Sequence, residues 1–313
     1  MSSYKRILVT GGTGMVGSAF RRHEPFGVIR VGSSDCDLTD FTETMSLLHE
    51  HRPDAVIHLA AKVGGVKGNY DFVGDFFREN TMINTNVLEA CRLYGVPKVV
   101  SLLSTCIYPD KPSYPLTEDQ IHAGEPHFSN FGYAYAKRMI EVQSRAYRQQ
   151  YNCNFVTAVP NNIFGENDNF DLENSHVVPA IIRKVFEAKK NNSPEVILWG
   201  DGSPLREFTY SHDIADALMY ILRNYDDVMP INIGNTYEVS ILEMAEMIVK
   251  IIGYGGELVW DASMPAGQLQ KPSSNQRFVS MGWDRAFYTP ITSALQATCT
   301  WFEKNYPNVR GIE

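Results

Sequence analysis

Tyr133 and Lys137 stand four residues apart in Tyr133-Ala-Tyr-Ala-Lys137. On a helix that spacing puts both side chains on one face. A free phenol titrates near pH 10, too high for easy proton transfer at neutrality. An ammonium beside it favours the phenolate and lowers that value. The pair can therefore exchange a proton with a substrate oxygen while hydride moves at the attached carbon. Tyr135, two residues from Lys137, faces elsewhere.

A second chemical signal lies at the start of the chain. Gly11, Gly12, Thr13, Gly14, Met15, Val16 and Gly17 follow an apolar run and open a helical pattern. Glycines at this spacing permit a tight turn and a close backbone approach to a pyrophosphate, which the helix N-terminus then attracts. The context predicts a nicotinamide dinucleotide. An acidic residue closing the next strand would select NAD by holding the ribose hydroxyl. Here the strand ends Arg30-Val-Gly-Ser-Ser34 and Asp35 comes late, so NADP(H) is favoured, with Ser33 and Ser34 able to donate to its 2′-phosphate. Asp37 and Leu38 are candidate adenine contacts.

The run at 98–103 ends in Ser104-Thr-Cys106. Parallel sheets bind their ligands at strand carboxyl ends. Ser104 can hydrogen-bond a reacting oxygen there, and a Cys106 thiolate can remove a carbon-bound proton.

These residues need a scaffold that brings them together. Short apolar runs at 6–10, 27–31, 55–59, 98–103 and 155–159 read as strands covered on both faces. Helical patterns at 15–22, 41–51, 75–94 and 133–151 alternate with them; Gly95 and Pro97 stop the third, and Gly132 precedes the fourth. That rhythm predicts a Rossmann-type α/β fold with a doubly wound parallel sheet. Beyond Pro160 it changes. Residues 165–174 read as a loop, helices are expected at 177–190, 214–224, 241–252 and 291–306, and short strands at 196–199, 231–233 and 257–259. We expect residues 1–165 to form the NADP-binding domain. Residues 166–313 should form mainly a smaller α/β substrate lobe, with some segments returning to the first domain.

Composition narrows the partners. The formal net charge is −8, which argues against nucleic acid because phosphate backbones need a concentrated basic surface. No apolar run approaches a membrane span, and we expect no secretory leader, because the residues before the first strand pattern lack its apolar stretch and cleavage site. Five scattered cysteines show neither a disulfide framework nor zinc-ligand spacing. We expect a cytoplasmic enzyme without a metal.

Glycine loop, Ser104 and the Tyr-Lys pair together resemble the extended short-chain dehydrogenase/reductase family, whose members act mainly on nucleotide sugars. The segments Ser104-Thr-Cys-Ile-Tyr-Pro109, Asn167 to Ala180, Trp199 to Phe208, His58 to Gly65 and Asn130 to Arg138 resemble one branch of it. That branch epimerises a GDP-linked 4-keto-6-deoxy sugar at C3 and C5 and reduces its C4 ketone. The resemblance implies GDP-4-keto-6-deoxy-D-mannose as substrate and NADPH as reductant. Cys106 would be the epimerising base, His176 the acid, and Tyr133 the proton donor in reduction. Lys137, Ala60, Pro160, Asn161, Asn162, Ile163 and His176 would contact the cofactor. Lys184, Arg206, Trp199 and Lys271 would hold the GDP-sugar. It also implies a homodimer through helices that include 75–94 and 133–151.

This chain departs from the branch at three places. Asn161 replaces a usual Thr, Gly165-Glu-Asn167 replaces Gly-Pro-His, and Ala266 stands where Asp is frequent. A UDP- or dTDP-sugar 4-epimerase or 4-reductase, and a non-enzymatic NADP sensor on the same fold, are the competing readings. The former needs neither Cys106 nor His176. The latter commonly loses Tyr or Lys.

Overall fold

The computed structural model describes residues 4–64, 68, 71–263 and 269–312. Gly65, Ala266 and Gly267 lie outside the described residues. Six parallel strands form the central sheet: β1 Ile7–Thr10, β2 Val28–Val31, β3 Ala55–His58, β4 Val99–Leu102, β5 Phe155–Pro160 and β9 Ile231–Ile233. Their order is β2-β1-β3-β4-β5-β9. The order reverses at β1, so the crossovers fill both faces and leave a crevice at the strand carboxyl ends.

On one face lie α2 (Phe41–His51), α3 (Val73–Tyr94) and α4 (Phe131–Tyr151). They bury Leu47, Val87, Leu88, Cys91 and Ile140 against Leu8, Val56, Val99 and Phe155. On the other lie α1 (Met15–Ala19) and α6 (Ser211–Asn224), where Val16, Ile214, Leu218 and Ile221 meet Ile7, Ile57 and Val156. Near-continuous apolar strands are required because both faces are covered.

The predicted first helix is shorter than expected. It winds as a 3-10 helix over Phe20–Phe26, which contains Pro25. Proline lacks an N–H and clashes with the preceding turn, so regular α winding stops. Gly132, expected to precede its helix, lies inside the first turn of α4. A Cβ there would come 2.7 Å from the Val73 carbonyl oxygen, so glycine permits the close approach of α3 and α4.

A second apolar core packs α5 (Val177–Lys190), α7 (Ile241–Ile252) and α9 (Ile291–Asn305) against short sheets. One pairs β10 (Glu238–Ser240), β8 (Leu205–Tyr210) and β6 (Asn162–Phe164); the other pairs β11 (Glu257–Asp261) with β7 (Glu195–Trp199). Sequence reading missed β6, β8, β10 and the short helix α8 (Gln276–Ser280). The first and third are three residues long and exist only through pairing with β8. Among the described residues, no helix is long and apolar enough to cross a membrane.

Candidate active site

One cleft of about 2010 Å³ runs between the carboxyl ends of the sheet and the second core. At one end lies the glycine loop. Gly11 has φ 70°, and a Cβ there would meet the Ala60 backbone nitrogen at 2.8 Å; one on Gly17 would meet the Gly11 carbonyl oxygen at 2.2 Å. Both positions therefore require glycine. Helix α1 begins after Gly14 with no side-chain cap and no acidic residue in its first turn. Its amides are thus available to an anion. Gly11, Thr13, Gly14, Met15, Val16 and Gly17 line the cleft. Gly12 does not; it is packed under β2 and donates to the Val31 carbonyl at 2.7 Å.

Ser33, Asp37, Leu38 and Ala60 line the same end, whereas Ser34 does not. The Asp35 carboxylate is turned back onto the Gly32 N–H at 2.7 Å. Asp37 accepts from the Thr39 amide and hydroxyl at 2.9 and 2.7 Å, which lowers its pKa. The loop, the open helix terminus and the adjoining crevice fit a dinucleotide.

Mid-cleft, Ser104, Cys106, Tyr133 and Lys137 converge. Lys137 donates to the Leu102 carbonyl at 3.0 Å, and its ammonium lies 5.9 Å from the Tyr133 ring centre. Burial pushes Lys137 down to about 8. The sequence reading expected the ammonium to lower the Tyr133 phenol. Instead, burial and the neighbouring Cys106 hold Tyr133 above its ordinary range. Desolvation of the phenolate outweighs a cation that is itself desolvated and turned toward a carbonyl.

Ser104 caps the 3-10 turn Thr105–Ile107 and accepts weakly from the Cys106 N–H at 3.4 Å. Burial raises the Cys106 thiol, while Ser104, Lys271, Lys137 and Arg138 pull it the other way. His176 stands at the N-cap of α5 but makes no side-chain cap bond, so its imidazole stays free to line the cleft. Surrounding protein lowers its pKa by desolvation, although the cleft admits solvent to it.

Helix α5 turns one face to the cleft, with Val177, Ile181 and Lys184 at helical spacing. Lys184 donates to the Ile197 carbonyl at 2.9 Å and lies 5.7 Å from the Trp199 ring centre. Arg206 donates to the Leu205 carbonyl at 2.7 Å, and Lys271 to the Thr105 carbonyl at 3.1 Å. Among the described residues none of these three forms an ion pair; each rests on a neutral carbonyl and keeps its charge for an incoming anion. Trp199 is 54% exposed and offers an aromatic face.

Pro160, Asn161, Asn162 and Ile163 also line the cleft. The Asn161 amide is already engaged, donating to the Asn235 carbonyl at 2.8 Å and to Glu207 at 3.3 Å, and accepting from Thr209 at 2.6 Å. In the divergent Gly-Glu-Asn turn, Glu166 accepts from the Tyr210 hydroxyl at 2.6 Å, and Asn167 takes φ 61°. Asparagine tolerates that left-handed geometry well. Sequence reasoning passed over Asp168 and Arg310, which line the cleft, and Arg138 beside it. Asp168 is 5% exposed and pushed to about 7 by burial. A charge one residue beyond Lys137 was the available signal for Arg138.

The chain belongs to the NAD dependent epimerase/dehydratase family, whose model matches residues 7–234. Within that family its resemblance is to the GDP-L-fucose synthases. It is 43% identical to GDP-L-fucose synthase from Dictyostelium discoideum, covering 99% of this chain and 98% of that protein. It is 42% identical to the probable GDP-L-fucose synthase of Drosophila melanogaster, covering 98% and 99%. The crystal structure of a GDP-L-fucose synthetase from Naegleria fowleri bound to NADP superposes with a TM-score of 0.93 at 39% identity, covering 99% and 96% of the two chains.

Proposed function

We propose that this protein converts GDP-4-keto-6-deoxy-D-mannose to GDP-L-fucose by 3,5-epimerisation and NADPH-dependent reduction at C4. The observation that carries this reading is a single cleft shared by an oxidoreductase pair, a thiol, an imidazole and uncompensated cations. The fold, the family and the full-length similarity to GDP-L-fucose synthases support it. NADPH supplies the hydride when bound against the glycine loop.

The 4-keto group acidifies the protons on C3 and C5. Cys106 removes a proton from one face, and His176 returns one to the other. Burial favours the protonated thiol and the neutral imidazole. That proton count equals the count of a thiolate–imidazolium pair, so one internal transfer arms the site. An incoming diphosphate favours the imidazolium by its charge. Tyr133 then donates to O4 during reduction, Ser104 holds that oxygen, and Lys137 orients the phenol and a ribose hydroxyl. Lys184, Arg206 and Lys271 hold the diphosphate, and Trp199 stacks on guanine.

The protein acts as a homodimer and resides in the cytoplasm on this reading. Exposed Phe77, Met82 and Leu93 on α3, and Phe131, Met139 and Tyr151 on α4, support a helical dimer face. Five free cysteines suit a reducing compartment.

The test is direct. Purified protein is incubated with GDP-4-keto-6-deoxy-D-mannose and either NADPH or NADH, and the sugar product is identified. GDP-L-fucose formed preferentially with NADPH is expected; its absence overturns the reading, as would turnover of a UDP- or dTDP-sugar instead.

A further inference from the structure

Three cations grip the backbone around Cys106. Lys137 donates to the Leu102 carbonyl at 3.0 Å, Lys271 to Thr105 at 3.1 Å, and Arg138 through Nε to Ile107 at 2.6 Å. The three acceptors bracket Cys106 along the chain. Two cations come from α4, and the third from the segment after β11. Among the described residues none of the three forms an ion pair; no carboxylate acts on Lys137 or Arg138, and Asp110 acts on Lys271 from beyond ion-pair distance. Arg138 is 6% exposed, and its Nη2 is buried with no hydrogen-bond partner. A buried guanidinium N–H left unpaired is costly unless an anion forms beside it. The Arg138 guanidinium also lies 5.4 Å from the Tyr135 ring centre.

We propose that Arg138 and Lys271 are positioning residues that, with Lys137, form a cationic cradle stabilising the thiolate of Cys106 for proton abstraction. This inference rests on the base role assigned above. The groups that act on the thiol's charge are Ser104 from its own turn, Tyr133, Lys137 and Arg138 from α4, and Lys271 from the segment after β11, on which Asp110 acts in turn. The cradle offsets part of the burial that disfavours a charged sulfur. It gives Arg138 a function distinct from packing, and Lys271 a second task beside diphosphate binding. Because Lys271 belongs to a different segment from α4, the cradle is complete only when that segment is docked.

The experiment measures the thiol itself, without substrate. Ligand-free protein is treated with iodoacetamide near neutral pH, and the Cys106-containing peptide is quantified by mass spectrometry over time. An opposite charge at close range lowers a pKa by about 1–3 units. With nucleophilicity falling about half as fast as basicity, each lost unit slows labelling about threefold. Arg138→Met and Lys271→Met should each slow Cys106 labelling about threefold or more. Arg138→Lys and Lys271→Arg should restore most of the rate. Unchanged labelling in the Met variants overturns the cradle, and so does equal slowing in the charge-retaining variants. Lys271→Met serves if Arg138→Met does not fold. Failure of GDP-L-fucose synthesis in the unmodified protein leaves this readout intact, so the two readings fail separately.

Discussion

The Lys137 ammonium donates to the Leu102 carbonyl oxygen at 3.0 Å, tying α4 to the end of β4. Burial drives Lys137 down to about 8 from an ordinary value near 10.5. The unfolded chain therefore binds more protons than the folded one between those values. Stability attributable to this group rises with pH across that window, and the burial penalty is fully present below about pH 8. Lys137→Met should abolish reduction while raising Tm at neutral pH. Its advantage should shrink as the pH approaches 10, measured by thermal denaturation.

Tyr133→Phe removes the proton donor but leaves Cys106 and His176 in place. NADPH oxidation should fall about 10²- to 10⁴-fold, the usual range for a lost acid. Solvent deuterium should still enter C3 and C5. A rate of NADPH oxidation equal to the parent's would refute the acid role.

Cys106→Ser replaces the thiol with a far weaker acid. Deuterium uptake at C3 and C5, followed by mass spectrometry, should be crippled. Some direct reduction of the unepimerised ketone should persist. Undiminished uptake would remove Cys106 from the mechanism.

Glu207 is 2% exposed and accepts from the Ser273 amide at 2.9 Å and hydroxyl at 2.5 Å, and from Asn161 at 3.3 Å. It ties the segment carrying Lys271 to the strand end carrying Asn161. Glu207→Ala leaves these donors unpaired and should cost about 2–4 kcal/mol. Binding of GDP, followed by calorimetry, should weaken because Lys271 loses its support. Unaltered affinity would show that the segment docks without it.

His58 is fully buried and contacts the Thr10 hydroxyl at 2.8 Å and the Asn84 carbonyl oxygen at 3.1 Å. Asn84 accepts there, so Nε2 carries the proton and Nδ1 accepts from Thr10. Asn84 in turn donates to the Ala136 carbonyl at 3.0 Å, beside Lys137. Burial and Lys137 hold His58 down to about 3. Folded protein thus binds fewer protons than unfolded chain between about pH 3 and 6.5. Stability from the neutral histidine is present above pH 6.5 and lost as pH falls toward 3. His58→Leu should flatten that acid limb in a pH series of denaturation curves, while lowering stability near neutrality by about 2–4 kcal/mol through two unpaired polar groups. An acid limb as steep as the parent's would contradict the assignment.

The order of strands and helices was readable because buried parallel strands are continuous apolar runs and the helices between them repeat at 3.6 residues. Strands β6 and β10 were not, since three residues carry no period and their pairing with β8 is non-local. The same division runs through the site. The glycine loop and the Tyr133–Lys137 pair act through local spacing, so residue type and order determined them. The segments around Cys106 and His176 also singled out one thiol and one imidazole in the sequence, and the structure lines one cleft with both. Tertiary structure alone decided the electrostatics. Burial reversed the expected shift at Tyr133, occupied Asn161 with Glu207, Thr209 and Asn235, and brought Arg138 and Lys271 to opposite flanks of the Cys106 turn. Charge interactions depend on distance and desolvation across segments far apart in the chain, and neither is encoded in the spacing of any one motif.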